Sequence, residues 1–413
     1  MNKQIYLHLS LYITFLVISP GCLDDINKNQ TEPSHPVLLI SIDGFMPDYM
    51  LRFDTPNLDR IAANGVHAES MMVVFPTKTF PTHYSIVTGL FVENHGIIAN
   101  SFYDYEYGAY FSYGPPNYHS DDVWFGGEPI WVTVENQSKT AATMFWPGSD
   151  YEIKGVRPTR YVNYDGSISN YARIDSVITW LDPAGEVRAD FSTLYFSKVD
   201  SYGHRYGPHS TEVEEVVMEA DDWMGYLLGQ MEETGLTDKL NLIIVSDHGM
   251  AELSEDRIIF LDELINLDDV DMIDWTPVAM IRPDEGKADE IYRALSQTER
   301  NFKVYLKEEL PERFHFSNHY RIPEIIMIAD LGYTITSRDF FEQRGLMAAT
   351  HGYDNLLPEM HALFLANGPD FQRGLETGTI ESIDLYELMA YLLRIEPAQN
   401  DGSLDNLRNL LRN

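Results

Sequence analysis

Apolar runs that stop abruptly at a polar side chain set the pattern of this chain. Val37–Ile42 and Leu240–Val245 are almost continuously apolar, which predicts strands buried on both faces of a parallel sheet. Phe191–Phe196 predicts a third such strand. Apolar residues at helical spacing predict helices at Arg173–Leu181, before this strand, and at Val213–Thr234, after it. Strands that alternate with helices predict an α/β fold with a mostly parallel central sheet and helices on both faces. Further elements are predicted at Asp54–Gly65, Ser70–Val74, Thr140–Trp146, Ala362–Leu365 and Ile383–Leu393.

The pattern changes after Glu255. We expect a smaller α+β lobe here, inserted before the last polar segment around His351. Its predicted strands are Val278–Ile281, Lys303–Leu306 and Glu324–Ala329, and its predicted helix is Lys287–Gln297. Ser101–Gly127 is rich in Tyr, Phe, Gly and Pro without periodicity, and we expect a loop or small insertion that covers a site and lies outside the core. No internal repeat or second linker interrupts the folded domain expected over residues 37–413.

Composition narrows the function classes. The 413 residues hold 29 Lys and Arg against 64 Asp and Glu, which gives a net charge of −35. Such a charge argues against general binding of nucleic-acid polymers, which needs a basic surface. At 44% hydrophobic residues, the chain can bury a large core.

The N-terminus resembles an export signal. Lys3 precedes the apolar stretch Ile5–Ile18, which is too short to span a membrane. Cys22, the only cysteine, follows Ser19-Pro20-Gly21, and this arrangement predicts a lipoprotein-type signal over residues 1–22 with lipidation at Cys22. Lipoprotein signals usually carry an aliphatic residue three positions before the cysteine, and Ser19 departs from this pattern. The alternative is ordinary secretion, in which the cysteine is incidental. The polar residues 23–36 predict a flexible tether, so we expect an exported protein with a lipid anchor in the bacterial cell envelope, facing the periplasm or the cell surface.

Aspartate and histidine gather where the predicted strands end. Ligands bind at the carboxyl ends of parallel strands, because loops and helix N-termini converge there. Each residue has an ordinary alternative: Asp43 with Gly44 resembles a hairpin turn, and His351 alone carries no signal. Three aspartates and three histidines together suit two zinc ions with three protein ligands each, although the same ligands also bind manganese or iron. The six residues are Asp43, Asp200, His204, Asp247, His248 and His351.

Thr79 lies in Phe75–Pro81, a proline-punctuated turn that leads into a predicted helix at His83–Leu90. A hydroxyl at this place lies beside free backbone N–H groups and the positive end of the helix dipole. The ordinary interpretation is an N-cap. A metal ion nearby would instead lower the pKa of the hydroxyl, so that a nucleophile forms without a general base.

Seven strings along the chain resemble the nucleotide pyrophosphatase/phosphodiesterase family of the alkaline phosphatase superfamily. The strings occur in the family's order and include TKTFP and SDHGM, which are highly specific. They are Ser41–Phe45, Pro76–Pro81, His83–Leu90, His95–Ile98, Asp200–Pro208, Ser246–Met250 and His351–Asn355. Thr82 departs from the asparagine that many members carry there. The family's multicellular members have additional cysteine-rich and nuclease-like domains, so the chain resembles a compact bacterial form.

The resemblance implies a role for each candidate residue. Thr79 would be the nucleophile and would contact one zinc ion, together with Asp43, Asp247 and His248. The second zinc ion would be held by Asp200, His204 and His351. For the substrate, Asn100 would donate to a phosphate oxygen, Phe80 and Tyr164 would sandwich a nucleobase, and Tyr195 is a weaker candidate for the same task. His67, His83, His95, His209 and His361 are interpreted as structural.

The implied activity is zinc-dependent hydrolysis of phosphodiester or pyrophosphate bonds in a small-molecule substrate. A nucleotide would be cleaved to a nucleoside 5′-monophosphate through a phosphothreonine intermediate. Phe80, which is not a cation, follows Thr79, and this favours a diester over a more highly charged monoester. Two alternatives stay open: a choline- or lipid-type phosphodiesterase, whose cage would use aromatic and acidic residues of 102–124, and a non-catalytic surface-binding lipoprotein.

Overall fold

The structure is a computed structural model that describes residues 34–112 and 122–412. The predicted signal, Cys22 and the tether up to residue 33 lie outside the described residues. The strands, numbered in chain order, are β1 (Val37–Ile42), β2 (Val66–Ala68), β3 (Met71–Met72), β4 (Ser101–Asp104), β5 (Ala109–Ser112), β6 (Ala141–Met144), β7 (Arg160–Val162), β8 (Phe191–Phe196), β9 (Asn241–Val245), β10 (Ala251–Glu252), β11 (Ile258–Phe260), β12 (Val270–Asp274), β13 (Val278–Pro283), β14 (Phe302–Leu306), β15 (Ile325–Ala329), β16 (Thr334–Thr336), β17 (Ala349–Thr350), β18 (Phe364–Asn367), β19 (Leu375–Thr377) and β20 (Ile380–Glu381).

The α-helices surround these strands and are numbered in the same way. They are α1 (Tyr49–Arg52), α2 (Pro56–Ala63), α3 (Thr79–Thr88), α4 (Val92–His95), α5 (Ile130–Asn136), α6 (Asn170–Leu181), α7 (Lys198–Tyr206), α8 (Thr211–Glu233), α9 (Ala288–Gln297), α10 (Arg338–Arg344) and α11 (Leu385–Leu393). None of the helices among the described residues is long and apolar enough to cross a membrane.

An eight-stranded sheet forms the centre, in the order β19-β2-β18-β9-β1-β8-β6-β7. Seven strands run in one direction, and β18 is antiparallel to both of its neighbours. β1 lies between β8 and β9, with Val37 opposite Phe191 on one side and Asn241 on the other. Because these three strands start level, their carboxyl ends meet at one edge of the sheet.

Side chains of β1 alternate between two cores, as expected for a strand that is covered on both faces. Leu38 and Ile40 pack in a core with α2, α6 and α8, whereas Val37 and Leu39 pack in a core with α3, α5 and α11. The predicted α/β architecture, with a mostly parallel sheet and helices on both faces, is confirmed.

The predicted lobe is a four-stranded antiparallel sheet in the order β12-β13-β15-β14. Helix α9 packs against it through the buried residues Ile291 and Leu295. Residues 270–329 of this lobe precede His351, as the sequence predicts.

Two sequence predictions were wrong. The strand predicted at Ser70–Val74 is only the two-residue β3, and the neighbouring sheet strand β2 was missed, since three residues give no recognisable run. Within 101–127, β4 and β5 form a hairpin whose Phe102 and Phe111 are buried in the core. The hairpin is therefore part of the core, because alternation along it turns one aromatic of each strand inward.

A buried arginine holds this hairpin in place. Arg321 is 4% exposed, and its Nε donates to Asp104 Oδ2 at 2.7 Å. Its remaining nitrogens donate to the carbonyl oxygens of Gly96 and Trp124 at 2.8 Å and of Val123 at 2.9 Å. One side chain thus joins the hairpin, the turn after α4 and the segment that follows residue 121.

Candidate active site

Thr79 is the first residue of α3. Lys78 precedes it as the N-cap residue and makes no side-chain capping bond. The hydroxyl oxygen Oγ1 of Thr79 lies 3.3 Å from His248 Nε2, at the edge of the sheet where β1 and β9 end. The threonine therefore does not cap the helix, and its hydroxyl is available for chemistry.

The acidic side chains converge at the same edge. Asp43 follows β1, Asp247 follows β9, and Asp200 lies in the first turn of α7. Gly44 has φ +70°, and a Cβ at this position would come 2.8 Å from the Asp200 Cα, so glycine is needed for the close approach. The backbone N–H of Asp200 donates to the Asp43 carbonyl oxygen at 3.0 Å, which fixes the two segments side by side.

Carboxylate oxygens and imidazole nitrogens form two overlapping clusters with spacing suited to metal ions. One cluster contains Asp200, His204 and His351, and the other contains Asp43, Asp200 and His248. In the first, Asp200 Oδ1 lies 3.3 Å from His204 Nε2 and 3.8 Å from His351 Nε2. In the second, Asp43 Oδ1 lies 3.4 Å from His248 Nε2. Asp247 belongs to neither cluster, but its Oδ2 lies 3.1 Å from the same nitrogen. Asp200 lies between the clusters and can bridge them.

Backbone carbonyl groups orient the three imidazoles. The Nδ1 atoms of His204, His248 and His351 lie 2.9, 2.9 and 2.8 Å from the carbonyl oxygens of Ala349, Gly249 and Thr77. An Nδ1–H that donates to a carbonyl leaves Nε2 with its lone pair free for a metal ion. All three Nε2 atoms face the carboxylates.

Three carboxylate oxygens of this site are buried without a hydrogen-bond donor among the described residues: Asp43 Oδ1, Asp200 Oδ1 and Asp247 Oδ2. Burial, followed by the charges of Asp247 and Asp200, raises the pKa of the Asp43 carboxyl well above its usual value. Burial and the neighbouring His248 and His204 lower the pKa of His351, which favours the neutral, ligating form. Crowded carboxylates without donors, beside imidazoles whose Nε2 atoms face them, are the donor set that divalent cations such as zinc require. The residues therefore fit a metal centre.

The structure shows how His83, which the sequence analysis interprets as structural, supports the site. It is fully buried one turn after Thr79, and its Nδ1 lies 2.8 Å from the Thr79 carbonyl oxygen. Its Nε2 lies 2.8 Å from Ser41 Oγ, and Nδ1 is also 3.4 Å from Asp247 Oδ2. His83 thus connects the start of α3 with β1 and Asp247. Its spacing of four residues from Thr79 on a predicted helix was the available signal.

A cavity of about 390 Å³ opens beside Thr79. Phe80, Tyr164 and Tyr195 all line it, and Tyr164 is 52% exposed. Asn100 also lines it, with its Oδ1 accepting the Phe80 N–H at 2.9 Å, so the Asn100 amide group remains as a donor. The hydroxyl of Tyr195 donates to Asp43 Oδ2, so the structure places this residue behind a candidate metal ligand.

No lysine or arginine among the described residues lines the cavity. Of the described residues in 102–124, only Ser112 lines it. Asp104, an acidic residue considered for a choline cage, is instead bound to Arg321, and the Tyr105 hydroxyl donates to Asp271 at 2.8 Å.

Known proteins resemble this chain over most of its length. A family model described as type I phosphodiesterase/nucleotide pyrophosphatase matches residues 37–354. Bis(5′-adenosyl)-triphosphatase enpp4 of Mus musculus is 40% identical over 394 residues, which are 95% of this chain and 85% of that protein. Ectonucleotide pyrophosphatase/phosphodiesterase family member 5 of Homo sapiens is 40% identical over 375 residues, which are 91% of this chain and 78% of that protein.

Solved structures agree with these relatives. A murine ectonucleotide pyrophosphatase/phosphodiesterase 5, an inactive threonine-to-alanine variant in complex with AMP, has a TM-score of 0.87 and 37% identity. It covers 92% of this chain and 100% of its own. The human counterpart has a TM-score of 0.88 with 40% identity and the same coverage. These relatives are animal proteins, and the compact bacterial form stays a prediction.

Proposed function

The chain belongs to the type I phosphodiesterase/nucleotide pyrophosphatase family and is an enzyme of that class, and we propose that Thr79 is its nucleophile and that two zinc ions are its cofactors. Its substrate would be a nucleotide with a phosphodiester or pyrophosphate bond, cleaved to a nucleoside 5′-monophosphate. One observation carries the proposal: Thr79 Oγ1 lies beside His248, where buried carboxylate oxygens without donors converge.

The chemistry follows from the position of each side chain. Thr79 Oγ1 loses its proton, attacks phosphorus and forms a P–O bond. The bond to the leaving group breaks, and the leaving group departs with its electron pair and takes up one proton in exchange. Water then attacks the phosphothreonine, returns the hydroxyl to Thr79 and releases the monophosphate. Zinc ions, when bound, lower the pKa of the attacking hydroxyl and neutralise the charge that develops on the phosphoryl oxygens. Each zinc ion would take three of the six aspartate and histidine ligands named above.

Two groups of the cavity would place the substrate. The Asn100 amide can donate to a phosphoryl oxygen, because Phe80 N–H holds its carbonyl oxygen and so fixes the side chain. Phe80 and Tyr164 line the same cavity and would stack on the two faces of a nucleobase. The name of the enpp4 relative and the AMP in the murine structure support an adenosine nucleotide as substrate.

The charge of the cavity favours a diester. A phosphate monoester carries an additional negative charge that must be neutralised in the site. Asp43 and Asp200 would be engaged as metal ligands, and the rest of the described lining offers Asp150 and no basic side chain other than histidine. A diester with an uncharged leaving group meets the least repulsion there.

We also propose export with a lipid anchor at Cys22, which rests on the sequence of residues 1–22 alone. The mass of the mature N-terminus tests this proposal. A diacylglyceryl cysteine at position 22 is expected, and an unmodified N-terminus would indicate ordinary secretion.

A substrate panel tests the catalytic proposal. The enzyme with zinc would be assayed on an aryl ester of thymidine monophosphate, glycerophosphocholine and an aryl phosphate monoester. We expect the nucleotide ester to be cleaved fastest. Thr79→Ala should lower kcat by at least about 10³-fold, since the attacking atom is removed, whereas Thr79→Ser should retain part of the rate.

Thr179→Ala is the matched control, because Thr179 is exposed on α6 and its hydroxyl only bonds the Asp175 carbonyl oxygen. Fastest cleavage of the monoester would overturn the diesterase assignment, and fastest cleavage of glycerophosphocholine would favour the choline-type enzyme. Full activity of Thr79→Ala would exclude Thr79 as the nucleophile.

A further inference from the structure

Lys78 directs its charge away from the cavity although it is the neighbour of Thr79. The side chain is 7% exposed and does not line the cavity. Its Nζ pairs with the Asp274 carboxylate and donates to the Thr276 carbonyl oxygen at 3.1 Å. Asp274 ends β12, and Thr276 lies between β12 and β13, so both partners belong to the inserted lobe.

The turn that carries Lys78 is also bound to the segment of a candidate metal ligand. The Thr77 carbonyl oxygen accepts the Nδ1–H of His351 at 2.8 Å. Thr77 Oγ1 accepts the Gly352 N–H at 3.0 Å and donates to the Tyr353 carbonyl oxygen at 3.2 Å. A Cβ at Gly352 would lie 3.0 Å from Lys78 Cε, so the lysine stem packs against this segment.

We propose that Lys78 is a positioning residue, whose ion pair with Asp274 braces the Thr77–Thr79 turn and the His351 segment against the inserted lobe. The inference rests on the proposed function of Thr79. The lobe would then act as a fixed support for the nucleophile and for one side of the metal centre. Because reacting atoms must be held within a fraction of an ångström, a loose brace lowers the catalytic rate more than substrate binding.

A direct role for the lysine predicts different behaviour. If the Lys78 charge stabilised the phosphoryl group itself, removing Asp274 would release that charge, and the rate would be kept or raised. If Lys78 acts through Asp274, either single change breaks the same brace, and the double change adds no further loss.

The experiment compares Lys78→Met, Asp274→Asn and the double variant as full zinc-loaded chains on the aryl ester of thymidine monophosphate. We expect kcat to fall about 10- to 100-fold in all three, with KM changed less than about 2-fold. The single variants should also melt at lower temperature, since each leaves a charge without its partner, and the double variant should regain part of the melting temperature but none of the rate.

Hydrogen exchange gives a readout that is independent of activity. Peptides that contain residues 350–354 should exchange faster in all three variants, since the Gly352 N–H depends on the braced turn. The matched control is Lys303→Met, which removes an exposed pair with Glu299 on the same lobe and should change neither kcat nor exchange at 350–354.

The outcomes separate the two proposals. Wild-type kcat in Asp274→Asn, with a loss in Lys78→Met, would overturn the brace and assign the lysine a direct role. Wild-type kcat and exchange in all variants would also overturn it. Full activity of Thr79→Ala would overturn the proposed function instead, and exchange at 350–354 alone would then decide whether the brace exists.

Discussion

Thr77, Lys78 and Thr79 are consecutive, and each serves a different partner. Thr77 binds the His351 segment, Lys78 binds the inserted lobe, and Thr79 presents its hydroxyl to His248. The short turn can do this because the helix starts at Thr79: the Lys78 carbonyl oxygen accepts the first helical hydrogen bond, from the Thr82 N–H, while the Lys78 backbone itself is extended and its side chain points away from the helix axis.

Asn100 permits a test at the scale of one atom. Asn100→Asp keeps an oxygen that accepts the Phe80 N–H and replaces the amide donor with a charged acceptor. We expect kcat/KM for the nucleotide ester to fall about 10²- to 10³-fold, the range for losing one donor to a developing oxyanion. Steady-state kinetics and a melting curve check this, and an unchanged kcat/KM would remove Asn100 from phosphate binding.

At the level of elements, α3 and α4 are joined by His95. Its Nδ1 accepts the Ile97 N–H at 3.1 Å, and its Nε2 donates to Ser85 Oγ at 2.9 Å. Burial, followed by the charge of His319, lowers the pKa of His95 to about 3. A protonated ring would turn a donor toward the Ile97 N–H, so the folded state requires the neutral form.

This requirement predicts a loss of stability in mild acid. The folded pKa lies below the unfolded value, so the contribution of His95 is complete above about pH 6.5 and declines as the pH falls toward 3. Between pH 7 and pH 5 the free energy of unfolding should drop by about 2 kcal/mol from this residue. His95→Asn should be less stable at pH 7 and should lack this share of the pH dependence in zinc-saturated denaturant titrations. Equal pH slopes for both proteins would contradict the assignment.

How well the sequence predicted each element depended on how local its cause was. The β1 and β9 runs and their terminal aspartates were predicted, because a strand covered on both faces needs continuous apolar residues. The β4–β5 hairpin was misjudged, because its inner Phe102 and Phe111 alternate with outward tyrosines that resemble loop composition. The pairs of Lys78 with Asp274 and of Arg321 with Asp104 join residues about 200 positions apart, and no local pattern indicates them.

For the whole molecule, the candidate metal centre affects stability as well as chemistry, because its carboxylates repel one another. Asp43, Asp200 and Asp247 come together on segments far apart in sequence, and the pKa of Asp43 rises in response. Without a bound cation, repulsion between these carboxylates destabilises the folded protein. A bound cation would neutralise the repulsion and stabilise the fold.

Metal removal should consequently destabilise the enzyme. A chelator should lower the melting temperature by about 3 °C or more, and added zinc should restore it. Asp43→Asn removes one of the crowded charges, so its metal-free form should melt at or above the metal-free wild type while gaining less from zinc. Calorimetry with and without chelator measures both effects. If the melting temperature of the wild type changes neither with chelator nor with added zinc, these residues hold no ion.

The three imidazoles are oriented by main-chain carbonyl groups of Thr77, Gly249 and Ala349. The orientation of the three rings is thus set by the path of the backbone and not by neighbouring side chains. A protein engineer who wished to transplant this centre would have to copy three loop trajectories, since carrying over the ligand residues alone would leave the rings free to turn.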